Sequence, residues 1–161
     1  MIRTESTSRG GSSLRRRLGL SVPAIVLLAA IAAIRVPLHD LGIVDEGSAA
    51  AWLLVFAPLA LWVGAVLLRG VPNPLLTLTA VGLAYGVMLA VIHQILWVAA
   101  FGGDLPSLGG NLEGVLAPGL ESLILRAASI PSSLVTGTVL GAVAGAVAWA
   151  IAWAISRLRR T

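Results

Sequence analysis

At 161 residues, with 58% apolar and 11% charged side chains and a mean hydropathy of +0.97, the chain lies outside the range of a water-soluble domain and has room for one membrane-embedded unit. Its net charge of +4 rests on eleven arginines and no lysine, and these flank apolar runs instead of lining a polar face among stacking aromatics, which argues against nucleic acid as a partner. Cysteine is absent, so disulfides, thiolate metal sites and cysteine nucleophiles are excluded.

Residues 1–17 are rich in Ser, Gly and Arg without apolar periodicity and read as a disordered cytoplasmic tail ending in Arg15, Arg16 and Arg17. The apolar run 18–35 is long enough for a first span if Arg35 snorkels to the interface; a cleavable signal peptide, with Ala30-Ile31-Ala32 as its processing motif, is the rival. Residues 35–47, with Pro37, His39, Asp40, Asp45 and Glu46, read as a polar, net acidic outer loop. Ser48 is a good N-cap for a second span over 49–68, and Pro58 within it withdraws a backbone N–H and predicts a kink. The short link 69–74 makes the second and third spans a hairpin, with Asn73 as N-cap and Pro74 in the first helical position.

The third span, 75–101, exceeds the roughly 20 residues needed to cross a bilayer core. Residues 102–132, broken by several glycines and by Pro106, Pro118 and Pro131, read as an outer loop. Leu120, Leu123, Ile124 and Ala127 recur within it at helical spacing and predict a short helix lying on the interface. A fourth span over 133–156 leads into a basic cytoplasmic tail, 157–161. The expected fold is therefore all-α, an antiparallel bundle of four transmembrane helices within 18–156. Trp52 and Trp97 near the outer ends and Trp149 and Trp153 near the inner end suit interfacial belts, whereas Trp62 is deeper.

Orientation follows from charge, because arginine-rich flanks stay in the cytoplasm. Arg3, Arg9, Arg15, Arg16, Arg17, Arg69, Arg157, Arg159 and Arg160 fall in the tails and the 69–74 turn, while the acids gather in the other two connections. The expected location is the inner membrane, with both termini cytoplasmic and the lipid bilayer as the constant partner.

Gly137, Gly141 and Gly145 form two overlapping Gly-x-x-x-Gly units, and Gly82, Gly86 and Ala90 a matching ridge in the third span. The plainer reading packs these ridges against each other within one chain; the sharper one makes the fourth span a homo-oligomeric interface. Beside the second ridge, Tyr85, Leu89, His93 and Trp97 recur every four residues. An imidazole placed inside hydrocarbon defaults to a functional reading, such as a proton relay or ligand contact, while the structural alternative is a neutral ring bonded to a neighbouring helix, with Gln94 acting as interhelical glue. No acid falls within the four predicted spans, which weighs against a proton-coupled carrier. Asp40, Asp45, Glu46 and Asp104, with His39, offer oxygen ligands for a weak cation site, but the plainer reading is solvated loop charge. Protease chemistry lacks its intramembrane aspartate pair, zinc motif or serine partner for His93, and phosphate and dinucleotide fingerprints are missing.

These features predict a non-enzymatic membrane protein without cofactor or metal, an accessory or oligomer-forming subunit of a larger complex. The alternative is a small transporter or channel with a polar intramembrane site at His93, Gln94 and Tyr85.

Overall fold

The computed structural model describes residues 16–45, 47–102 and 105–160. After a helical turn at residues 16–18 they form α1 (Val22–Ala33), α2 (Arg35–Asp40), α3 (Ala49–Arg69), α4 (Pro74–Ala100) and α5 (Pro118–Leu158), with a 3-10 turn at Gly110–Leu112 and no strand among the described residues. With α1 and α2 taken together as Val22–Asp40, four helices are long and apolar enough to cross a membrane. Arg15, Glu46 and Asp104 lie outside the described residues.

The first helix starts later than the apolar run does. Gly19 adopts φ +68°, and Ser21 caps α1 by accepting from the Ala24 N–H at 3.4 Å. Leu18, which ends the helical turn at 16–18, and Leu20 are therefore not part of α1 but buried side chains tucked under the α3–α4 turn. The Leu18 carbonyl accepts the Thr77 hydroxyl at 2.6 Å, and a Cβ on Gly19 would stand 2.7 Å from the Pro72 ring.

Residues 35–40 differ more from expectation. Instead of a loop they form α2, which extends the first apolar helix. Pro37 explains both the break and the continuation. Lacking an N–H, it leaves the Ala33 carbonyl without its usual partner, yet it sits in the first turn of α2, where an N–H has no helical acceptor anyway. Arg35, His39 and Asp40 thus ride on a helix.

The α3–α4 hairpin follows its local signals. Ser48 accepts from the Ala51 N–H at 3.1 Å, and α3 runs through a buried Pro58. It stops at Gly70, whose φ of +57° lets the Gly70 and Val71 amides bond back to Leu67 and Val66, a Schellman closure. Asn73 then caps α4 through the Leu76 N–H at 3.0 Å.

The separate interfacial helix does not exist: α5 is one rod of 41 residues from Pro118 to Leu158, passing through Pro131 without a break. Two serine hydroxyls, one on either side of the proline, bond to backbone carbonyls. Ser129 Oγ donates to the Arg126 carbonyl and Ser133 Oγ to the Ser129 carbonyl, each at 2.8 Å.

Helix α4 is the hub, packed antiparallel on α5 along the whole glycine ridge and also touching α1, α2 and α3. Gly82 lies on Gly137 and Gly141, Gly86 on Ser133 and Leu134, and Gly145 on Leu75. At 1.5 Å per residue α4 is about 40 Å long. The core below its midpoint is closed by Trp62, wholly buried, whose indole N–H donates to the Leu28 carbonyl at 2.9 Å and whose ring meets Tyr85 edge-on at 6.1 Å. Val135, Val139, Val143 and Val147 line the outer face of α5, all exposed, and large apolar side chains project outward from α1, α3 and α4 as well. Such a surface suits lipid, not water.

Six of the eight described arginines gather at one end, Arg35 and Arg126 lying away from it. Arg16 and Arg17 precede Leu18, which bonds α4 near its start; Arg69 leads into the same turn; Arg157, Arg159 and Arg160 follow the stretch of α5 that packs there. Arg157 also lies over the Trp153 ring at 5.0 Å.

Candidate functional site

Helices α1 and α2 pack on α4 and α3, and α5 packs on α4 and α3, but α1–α2 and α5 share no substantial contact. The gap holds a cavity of about 550 Å³. Its floor is the stripe of α4 carrying Tyr85, Leu89, His93 and Trp97. One wall is α2, with Arg35, Val36, His39 and Asp40. The other is α5, with Ser129, Ser132, Ser133 and Thr136, and Ala100 and Phe101 close the far end. Ser132 and Thr136 are exposed, so the cavity opens along α5; α3 contributes none of its lining.

The spacing of each wall explains its chemistry. Steps of four on α4 bring every member of the stripe to one face, and steps of three and four do the same for the hydroxyls of α5. On α2, Arg35 and His39 are a helical turn apart, so the two polar groups and Asp40 beside them turn together toward α4.

Asp40 is the group that departs furthest from expectation. It is not a solvated loop charge: its side chain is 7% exposed, with Oδ1 3.3 Å from His39 Nδ1 and Oδ2 3.8 Å from His93 Nε2. Oδ2 has no hydrogen-bond partner. The imidazole that lacked an acid in the apolar runs thus has one across the helix interface. His93 itself is a third exposed on its side chain and faces the cavity. It stands about 28 Å along α4 from Pro74 and about 10 Å from Ala100, well inside the apolar rod.

The chain matches no family model, no curated protein and no solved structure. What the site can do must come from its own groups.

Of the three polar residues expected to form a site, the structure brings His93 and Tyr85 together in the cavity and sends Gln94 elsewhere. Gln94 locks α4 to α5. Its Nε2 donates to the Arg126 carbonyl and to Ser129 Oγ, each at 2.9 Å, while Arg126 Nε donates to Gln94 Oε1 at 3.1 Å and Arg126 Nη2 to the Gln94 carbonyl at 2.8 Å. The guanidinium also lies 5.8 Å from the Trp97 ring centroid. Every donor of Gln94 is satisfied on α5, a charge-assisted, two-way pairing that fixes the register of the cavity's floor against its hydroxyl wall.

Trp97 is buried in this arrangement, not seated in an interfacial belt, and its indole N–H has no partner. The ring meets Phe101 edge-on at 5.2 Å, giving the cavity an aromatic end. The helix-packing glycines Gly82, Gly86, Gly137, Gly141 and Gly145 lie behind the cavity, with Ala90 buried on the same ridge, and they contribute no lining. Among the described residues no three of His, Cys, Asp or Glu come together in a metal-binding group.

Arg35, Ser129, Ser132, Ser133 and Thr136 are lining residues that reading the sequence missed, and His39 and Asp40, weighed there as outer-loop cation ligands, line the cavity instead. A signal for some was present: Ser129, Ser132, Ser133 and Thr136 recur at helical spacing across Pro131, which is the pattern of one continuous polar stripe.

Proposed function

We propose that the protein is a non-enzymatic integral membrane protein of the inner membrane, crossing it with α1–α2, α3, α4 and α5, and that it carries a small polar solute through the cavity between α2, α4 and α5. What supports the topology is that six of the eight described arginines gather at one end of the bundle, the pattern that the positive-inside bias associates with a cytoplasmic side. What carries the functional reading is Asp40: an enclosed carboxylate beside His93, inside a cavity lined from otherwise apolar helices. Ionisable groups at membrane depth are costly to keep, and they occur where they face a cavity and each other.

The glycine ridges bear on the rival reading, an accessory subunit assembled through α5. Their close faces are occupied within the chain by α4 on α5, so the motif leaves no small-residue face on that side for a second copy. The two readings separate in proteoliposomes. A carrier with His93→Leu loses solute or proton flux while its assembly state is kept. An accessory subunit with the same change keeps its partners in co-purification, and the unsubstituted protein moves no solute; that result would return the chain to the assembly reading, in a homo-oligomer or larger membrane complex.

A further inference from the structure

The two charged side chains that α2 sends to the cavity are not equivalent. Asp40 is enclosed between His39 and His93, and its Oδ2 exposes less than 1 Å². Arg35 lies five residues earlier, about 7.5 Å nearer the middle of the bundle, and is half-buried. Among the described residues no carboxylate stands within ion-pair distance of it, and none hydrogen-bonds to it. A guanidinium does not shed its proton, so in an apolar surround it calls for an anion, and its planar fork fits a carboxylate with two parallel hydrogen bonds. A cationic ligand, by contrast, would have to reach an Asp40 oxygen that solvent-sized groups do not touch.

We propose that the cavity takes a small organic monoanion, a monocarboxylate with an apolar body, paired with Arg35, and that it enters with one proton, which settles on His93. The proposal rests on the carrier reading and names its substrate class. The apolar body has a place against Val36 beside Arg35 and Leu89 on α4, and Thr136 on the facing wall offers a hydroxyl.

The proton follows from charge balance. Across the cavity the charges of Arg35 and Asp40 cancel. A monoanion entering alone would leave one uncompensated negative charge in a low-dielectric site. The groups facing His93 are Asp40, His39 and Arg35 from α2, Tyr85 on its own helix, and the Ser129 and Ser133 hydroxyls from α5; α3 sends none into the cavity. Asp40 is the one carboxylate among them, and His93 Nε2 already faces its Oδ2 at 3.8 Å. A proton taken from water onto the free imidazole nitrogen makes both ring nitrogens donors, so one can close on that oxygen and restore neutrality; no other bond changes.

Calorimetric titration of the full chain in nanodiscs with benzoate, repeated in two buffers of different ionisation enthalpy, reads the affinity and the protons taken up together. The expected result is uptake of about one proton per benzoate bound. Arg35→Gln should weaken benzoate at least about tenfold, and Arg35→Lys, which keeps the charge but not the fork, should fall between it and the unsubstituted protein. His93→Gln should bind benzoate with no proton uptake. Circular dichroism and gel filtration establish that each variant folds. Benzoate binding without proton uptake, or binding indifferent to Arg35→Gln, overturns the proposal. So does a site that ignores benzoate but takes tetramethylammonium in an Asp40-dependent way, a result that leaves the carrier reading standing; silence to both probes together with absent flux in proteoliposomes removes both.

Discussion

Gly82→Ala tests the packing on which the cavity's geometry depends. A Cβ built on Gly82 would stand 2.6 Å from Gly141 Cα and 2.8 Å from Gly141 N, and closer still to the Gly137 carbonyl oxygen. All three obstacles are backbone atoms, so no rotamer change relieves the clash. Ordinary contact between carbon atoms begins near 3.5 Å, so α4 and α5 must part by about 1 Å at this level or slide out of register. Over-packing of this kind costs about 1–3 kcal/mol and occasionally more, and separation would also strip dispersion contacts from the neighbouring pairs at Gly86 and Gly145. Gly64→Ala is the matched control. It adds the same methyl on α3 with nothing within 4 Å, so it should be neutral or stabilise by up to about 1 kcal/mol through helix propensity. Reversible unfolding in mixed micelles, followed by tryptophan fluorescence, measures both changes. A Gly82→Ala protein within about 0.5 kcal/mol of the parent, or a Gly64→Ala protein equally damaged, would refute the close approach of these backbones.

Two further outcomes follow from the same packing. A double-mutant cycle of Gln94→Leu and Arg126→Leu should return a coupling energy of about 1–3 kcal/mol, because the charge-assisted bond from Arg126 Nε to Gln94 Oε1 joins the two side chains; additive effects would show that the pairing does not form. Since the chain has no cysteine, single Ser132→Cys and Ser133→Cys proteins need no prior substitutions. Ser132 is exposed and Ser133 is 4% exposed, so a water-soluble thiol reagent should label the first much faster; equal rates would mean that the opening along α5 is misplaced.

The four apolar helices were legible because their signal is length and composition, which a 27-residue apolar rod cannot disguise. Local chemistry at helix ends was legible for the same sort of reason: Ser48 and Asn73 need only their own next turn to act as caps. The every-four stripe of Tyr85, Leu89, His93 and Trp97 could be read as a face. What the face looks at could not, since nothing in α4 says whether α2, α3 or α5 stands opposite. Gln94, one residue from His93, is turned by about 100° and belongs to a different interface.

The parts that were misread share a cause. Both Pro37 and Pro131 are helix breakers by local rule, and treating them so turned α2 into a loop and cut the first third of α5 off as a short interfacial helix in an outer loop. In this fold each proline is accommodated, Pro37 by its place in a first turn and Pro131 among serine hydroxyls bonded to nearby carbonyls. The two exceptions are not scattered. Pro37 sits between Arg35 and Asp40 on one wall of the cavity, and Pro131 between Ser129 and Ser132 on the other. A helix bearing a proline gives up a backbone hydrogen bond; α3 bears that loss at Pro58 in an apolar stretch, whereas Ser129 and Ser133 beside Pro131 also line the cavity. Unlike Pro58, which borders no part of it, Pro37 and Pro131 both flank the cavity, and the polar side chains beside them stand where a bundle made only to pack would bury leucine.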